Sequence, residues 1–78
     1  MIVEIVSPEA LLFKGEATTL TVPGAKGTFQ LLENHAPIIS ILNAGEVVWV
    51  TADKKTHAQP IKGGTLEFKD NKAIILAD

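Results

Sequence analysis

The 78-residue sequence contains no cysteine, no arginine and no tyrosine. Without cysteine it has neither a disulfide nor a cysteine-based zinc site to stabilise a small fold. Seven lysines with no arginine stand against nine Asp and Glu, for a net charge of -2. That lacks the clustered positive charge that nucleic-acid binding requires, so no nucleic-acid partner is expected. Long apolar runs are missing too. The longest weakly polar stretch, Ala36 to Val50, carries Asn43 and Glu46 and falls short of the roughly 20 residues a bilayer helix needs, so no direct membrane insertion is expected. The amino end, Met1 to Pro8, has no basic flank, long apolar core or small-residue cleavage site, unlike an export leader. Helix signals are scarce: Ser7-Pro8-Glu9-Ala10 could begin one turn, but Phe13-Lys14-Gly15 closes it.

What the sequence does have is β-branched residues. Val, Ile and Thr number 21 and recur in short runs bounded by Gly, Pro, Asn or Asp, the pattern of strands and turns. Candidate strands cover 2–6, 17–22, 27–32, 38–42, 45–51, 57–62, 64–69 and 72–77, with a short extended piece near 11–14. The expectation is one all-β domain over residues 1–78, a sandwich or barrel. Its surface should scale to about 4,600 Å², with roughly 62% of the unfolded chain's surface buried; for a chain this short, a partner surface is a natural further source of stability.

Local chemistry suggests where the chain turns. Val22-Pro23-Gly24 suits a type II turn, Asp70-Asn71 a hairpin tip, and Gly63-Gly64 a bulge or sharp bend. In 64–69, Leu66 and Phe68 point one way and Thr65, Glu67 and Lys69 the other, so that strand is half-buried. In 45–51, Val47 and Trp49 share one face while Val48 and Val50 share the other. That fits a central strand or an outer face covered by another subunit.

No catalytic constellation emerges. His35 and His57 are 22 positions apart without further ligands at metal-binding spacing, so neither a metal nor a cofactor is expected. Pro23-Gly24-Ala25-Lys26-Gly27 lacks the spacing and following helix of a phosphate-binding loop. The segment Glu33-Asn34-His35-Ala36-Pro37 should be an exposed connection presenting Asn34 and His35, either simply solvated or as a recognition tip. One stretch, Val47 to Thr56, resembles the hairpin of lipoyl and biotinyl carrier domains, which would make Lys54 a modified residue.

A wider resemblance runs through the whole chain. It rests on Val6-Ser7-Pro8-Glu9, Leu12 to Ala17, Val22-Pro23-Gly24, Gly27 to Leu32, His35-Ala36-Pro37, Leu42 with Gly45, Gly63-Gly64 with Leu66-Glu67, and Ile75 to Asp78. In order and spacing these blocks resemble the amino-terminal β-sandwich of the epsilon subunit of F-type ATP synthase, called delta in mitochondria. The resemblance implies a two-sheet β-sandwich of about ten short strands. It implies a non-catalytic rotor component between the gamma subunit and the c-ring, peripheral on the cytoplasmic face of the energy-coupling membrane, that couples proton flow to ATP synthesis. Mapped onto this sequence, it implies c-ring contacts at Thr28, Glu33, Asn34 and His35 and gamma contacts at Ser7, Pro8, Ile39, Ser40 and Leu42. Thr28 stands where relatives often carry an acidic residue. Relatives commonly continue into an α-helical hairpin, so no helix-mediated inhibition is expected of these 78 residues.

Overall fold

The computed structural model describes all residues from Met1 to Asp78. Alternating side-chain direction builds nearly every element. In β1 (Ile2–Val6), Val3 and Ile5 face inward while Ile2, Glu4 and Val6 face out. β2 (Leu11–Glu16) is longer than the expected 11–14 piece and lies at an edge. β3 (Thr19–Gly24) buries Leu20, Val22 and Gly24, and β4 (Gly27–Leu32) buries Leu31. β5 (Ile38–Leu42), β6 (Gly45–Val50), β7 (Thr56–Ile61), β8 (Gly64–Lys69) and β9 (Lys72–Ala77) follow. Leu66 and Phe68 of β8 are buried, as the alternation predicted.

The turns match their chemistry with two exceptions. Asp70 and Asn71 both adopt positive φ, 51° and 58°, the conformation of a tight two-residue hairpin, which Asn and Asp tolerate better than most residues. Ser7 to Ala10 makes no helical turn. The Ser7 N–H donates to the Ala10 carbonyl at 2.8 Å and the Ala10 N–H returns the bond at 3.3 Å, so Pro8 and Glu9 form the tip of the β1–β2 hairpin. Pro23-Gly24 is not a turn either: both residues belong to β3, and Ala25-Lys26 turns the chain between the paired Gly24 and Gly27. Proline fits inside this strand because β3 changes partner there. Thr19 to Thr21 pair with β6, Gly24 pairs with β5, and the missing Pro23 N–H falls in the gap between the two ladders.

The strand order is β2-β1-β9-β8-β5-β3-β6-β7, with β4 on the other side of β3. β1 and β9 run parallel, with Ile2 opposite Lys72 and Val6 opposite Leu76, which ties the two ends of the chain together. The expected all-β sandwich is present, with nine strands where about ten were expected, and its two layers, of five and four strands, belong to one curled hydrogen-bonded sheet in place of two sheets. The layers connect through one residue pair, Gly24 with Leu42, flanked by Ala25 N–H to Ile41 O at 2.9 Å and Asn43 N–H to Pro23 O at 2.8 Å. Val3, Ile5, Leu66, Phe68 and Ile75 of one layer meet Leu20, Val22, Leu31, Val47 and Trp49 of the other in a single buried cluster. Across that interior Phe13 of β2 lies on Trp49 at 4.5 Å between centroids, and His57 stacks on the indole at 5.6 Å. The accessible surface, 4714 Å², agrees with the scaling expectation. No helix is long and apolar enough to cross a membrane.

Candidate functional site

A sandwich offers partners two kinds of surface, the loops at its ends and the outward faces of its strands. At one end, the β4–β5 connection carries Glu33, Asn34 and His35, all exposed. Asn34 has φ 61°, a left-handed conformation that asparagine accepts more readily than most residues. The loop is closed by the His35 N–H donating to the Leu32 carbonyl at 3.1 Å. The His35 ring sits edge-on to Phe68 at 5.9 Å, with Nδ1 2.7 Å from the Ala36 carbonyl oxygen.

The carboxylate of Glu33 forms an ion pair with the Met1 ammonium, and the same ammonium donates to the Ala17 carbonyl at 2.9 Å. Asn71 Nδ2 donates to the other Glu33 oxygen at 2.9 Å, while Asn71 Oδ1 accepts from the Asn34 N–H at 2.7 Å. The ammonium first and Asn71 second hold the Glu33 carboxyl below its usual range. Asn71 entered the sequence argument only as part of a hairpin tip; nothing in its local spacing signals a bridge to residues 33 and 34.

Thr28 does not join this group. It sits at the beginning of β4, beside the Ala25-Lys26 turn, while Glu33 follows its end. Five residues at about 3.3 Å each put the two roughly 16 Å apart, at opposite ends of the sandwich. The expected four-residue contact is thereby split.

The residues expected at gamma divide by strand parity. On β5, Ile39 is 78% exposed, but Leu42 is only 3% exposed and lies in the core. Ser40 shares the inward parity of Leu42, half-buried with its Oγ donating to the Ile41 carbonyl at 3.1 Å. Leu42 thus cannot present its side chain to a partner. Ile41, at 68% exposure, takes the outward place and was missed: in Ile38-Ile39-Ser40-Ile41-Leu42 four of five residues are apolar, so hydrophobicity does not say which face is outside.

Ile41 begins an outward row that crosses five strands through Thr65, Leu76, Val6 and Leu11, about 19 Å wide at the usual strand spacing. Leu76 and Leu11 are 55% and 57% exposed, and Ser7 and Pro8 follow directly on Val6 at the far side of the row. The adjacent row, Ile39, Glu67, Ile74, Glu4 and Lys14, is mixed. Between β5 and the start of β4 lies an open groove of about 590 Å³ whose walls include Thr28, Phe29, Ile39 and Ile41.

The remaining candidates are dispersed. No three His, Asp or Glu side chains are grouped to hold a metal ion. His57 is half-buried against Trp49, far along the chain from His35. Lys54, at φ 65°, occupies the loop between β6 and β7. There Thr51 Oγ1 donates to the Asp53 carboxylate; this bond first, and the Lys55 N–H second, lower the Asp53 pKa.

The sequence model of the family described as ATP synthase, Delta/Epsilon chain, beta-sandwich domain matches residues 1–78. The ATP synthase epsilon chain of Chlorobium limicola is 40% identical over 75 residues, 96% of this chain and 85% of that one. The ATP synthase epsilon chain of Leptospira borgpetersenii is 42% identical over 76 residues, and this chain spans 59% of its length. Among solved structures, a chain of the Euglena gracilis mitochondrial ATP synthase (OSCP/F1/c-ring) superposes with a TM-score of 0.92 at 19% identity, over 99% of this chain and 49% of that one. A chain of the Tetrahymena thermophila central stalk/c-ring superposes with a TM-score of 0.79 at 12% identity, over 97% and 61%. At these identities the two structures show a shared fold.

Proposed function

The chain belongs to the ATP synthase delta/epsilon β-sandwich family, and from that premise we propose that it serves as a non-catalytic central-stalk component linking gamma to the c-ring, so that proton flow is coupled to ATP synthesis. It would work at the cytoplasmic face of the energy-coupling membrane, held there by its partners. The observation that carries this reading is the family match over the full 78 residues. It is supported by a row of exposed apolar side chains on an otherwise ordinary sheet, since such patches mark interaction surfaces. Ile39 with Ile41 and Leu76, together with Ser7 and Pro8, form the proposed gamma surface. Lys54 is then a turn residue and needs no modification.

The ring contact falls at one end of the sandwich: either at Glu33, Asn34 and His35, or at Thr28 with the Ala25-Lys26 turn. β4 holds these two groups about 16 Å apart, so they form two separate candidate contacts. Copurification from membranes tests the function, and recovery of the chain with neither gamma nor c-ring would defeat it. Single cysteines at Thr28 and at His35, cross-linked in the assembled complex, then assign the end: the residue that joins the c subunit marks the contact.

A further inference from the structure

Backbone hydrogen bonds join the strands of the two layers at one end only. The pair Gly24 with Leu42 and its two flanking hydrogen bonds lie at the end that carries the Ala25-Lys26 turn. At the opposite end β4 of the four-stranded layer passes into the loop of Glu33 and Asn34, while the β8–β9 turn of the five-stranded layer carries Asn71. No ladder connects these segments. The turn and the loop are bridged by the Asn71 amide, which offers its oxygen to the Asn34 N–H at 2.7 Å and its nitrogen to Glu33 at 2.9 Å, beside the ion pair of Glu33 with the Met1 ammonium. From this geometry we infer that Asn71 is a positioning residue, a clasp that closes the second end of the sandwich and sets the conformation in which the loop presents Asn34 and His35.

Three further features support the clasp. The Asn71 backbone is fixed independently of its side chain, because its carbonyl accepts from the Ile2 N–H at 3.1 Å and its φ of 58° is set by the hairpin. The amide therefore projects from a rigid tip. The Asn34 N–H belongs to a residue in the left-handed region, φ 61°, a conformation that needs surrounding contacts to hold it. Finally, Glu33 is held from its other side by the Met1 ammonium, so β1, the β4–β5 loop and the β8–β9 turn meet at one carboxylate. The charged groups around it are the Met1 ammonium, Glu16 and Asp70, which line the same shallow cleft.

The test separates turn geometry from the amide. Asn71→Gly keeps the positive φ the hairpin requires and removes both side-chain bonds. In the isolated chain, amide exchange at Asn34 should accelerate about tenfold or more, while the Val22 and Leu66 amides keep their global protection. Unchanged exchange at Asn34 overturns the inference. Asn71→Asp retains an acceptor for Asn34 but sets a second carboxylate against Glu33, so the Glu33 titration followed by carboxyl NMR should move upward; an unmoved titration also overturns it. The presentation of His35 rests on the proposed ring contact, and a separate measurement isolates that reading. If exchange at Asn34 accelerates but His35→Cys joins the c subunit in neither the parent nor the Asn71→Gly background, the clasp stands and the ring contact at this end falls; full cross-linking retained in the Asn71→Gly background overturns the positioning of His35 by Asn71.

Discussion

Replacing Ile39 and Ile41 together by threonine tests whether the outward face of β5 meets gamma. Threonine keeps the β-branch and the strand preference while substituting a hydroxyl for the apolar end of the side chain. In the free protein the two isoleucines are 78% and 68% exposed, so the change removes little buried surface and the fold should hardly respond. A surface substitution of this kind shifts stability by about 0.5 kcal/mol or less. In a complex the balance differs. Burying an isoleucine completely is worth about 1.5–3 kcal/mol. Some two-thirds to three-quarters of each side chain is still available for burial, leaving about 1–2 kcal/mol apiece, or about 2–4 kcal/mol for the pair. At 1.4 kcal/mol per tenfold, gamma affinity should weaken roughly 30- to 1,000-fold. Titration calorimetry against purified gamma reads this loss, and the emission of the single tryptophan, Trp49, buried at 5% exposure, reports whether the variant is folded. A folded double variant that binds gamma within about twofold of the parent would refute the assignment of this face.

Gly64→Ala should be among the most damaging small changes in the chain. An added Cβ would lie 2.1 Å from the Leu76 carbonyl oxygen, at a residue whose φ of 151° already disfavours a side chain, and clash plus strain should cost about 3–5 kcal/mol. Gly27→Ala serves as the comparison: φ is 127° but nothing lies within 4 Å, so backbone strain alone should cost about 1–3 kcal/mol; equal losses in urea melts would contradict the clash argument. Acidification should weaken the fold through Glu33 and Asp53. Both carboxyls have lowered folded-state pKa values, so their contribution is present above the unfolded pKa near 4 and disappears as pH falls through the folded values. Glu33→Gln should flatten this acid limb of a melting-temperature profile, and a profile of unchanged slope would exclude Glu33 as a source.

Strand content was legible because it depends on local pattern. Alternation in β1, β3, β8 and β9 and the hairpin at Asp70-Asn71 needed only neighbouring residues to specify them. The misreadings arose where distant contacts decide. Pro23-Gly24 is favourable turn chemistry, yet the turn lies two residues later, because β3 exchanges β6 for β5 at that point and tolerates a residue without an N–H. β2 was foreshortened because Leu11 and Leu12 are both exposed, which breaks the alternation of a half-buried strand. The count of two sheets failed over one pair, Gly24 with Leu42, which no periodicity encodes.

The candidate surfaces show the same division more sharply. Inheriting contact residues from a family by position assigned Ile39, Ser40 and Leu42 to one surface, although adjacent strand residues face opposite ways and only Ile39 of the three projects fully outward. Parity requires that its outward companion be Ile41, and cross-strand register extends the surface to Leu76 and Leu11 on strands far apart in sequence. Strand length separates Thr28 from Glu33 although only four residues intervene, while the packing of the two layers brings Asn71 to Asn34 across 37 positions. A partner surface on a sandwich is therefore a property of rows across strands. Substitutions on the outward face of these strands should act together on one partner, and substitutions of adjacent residues within a strand, which face opposite ways, should not.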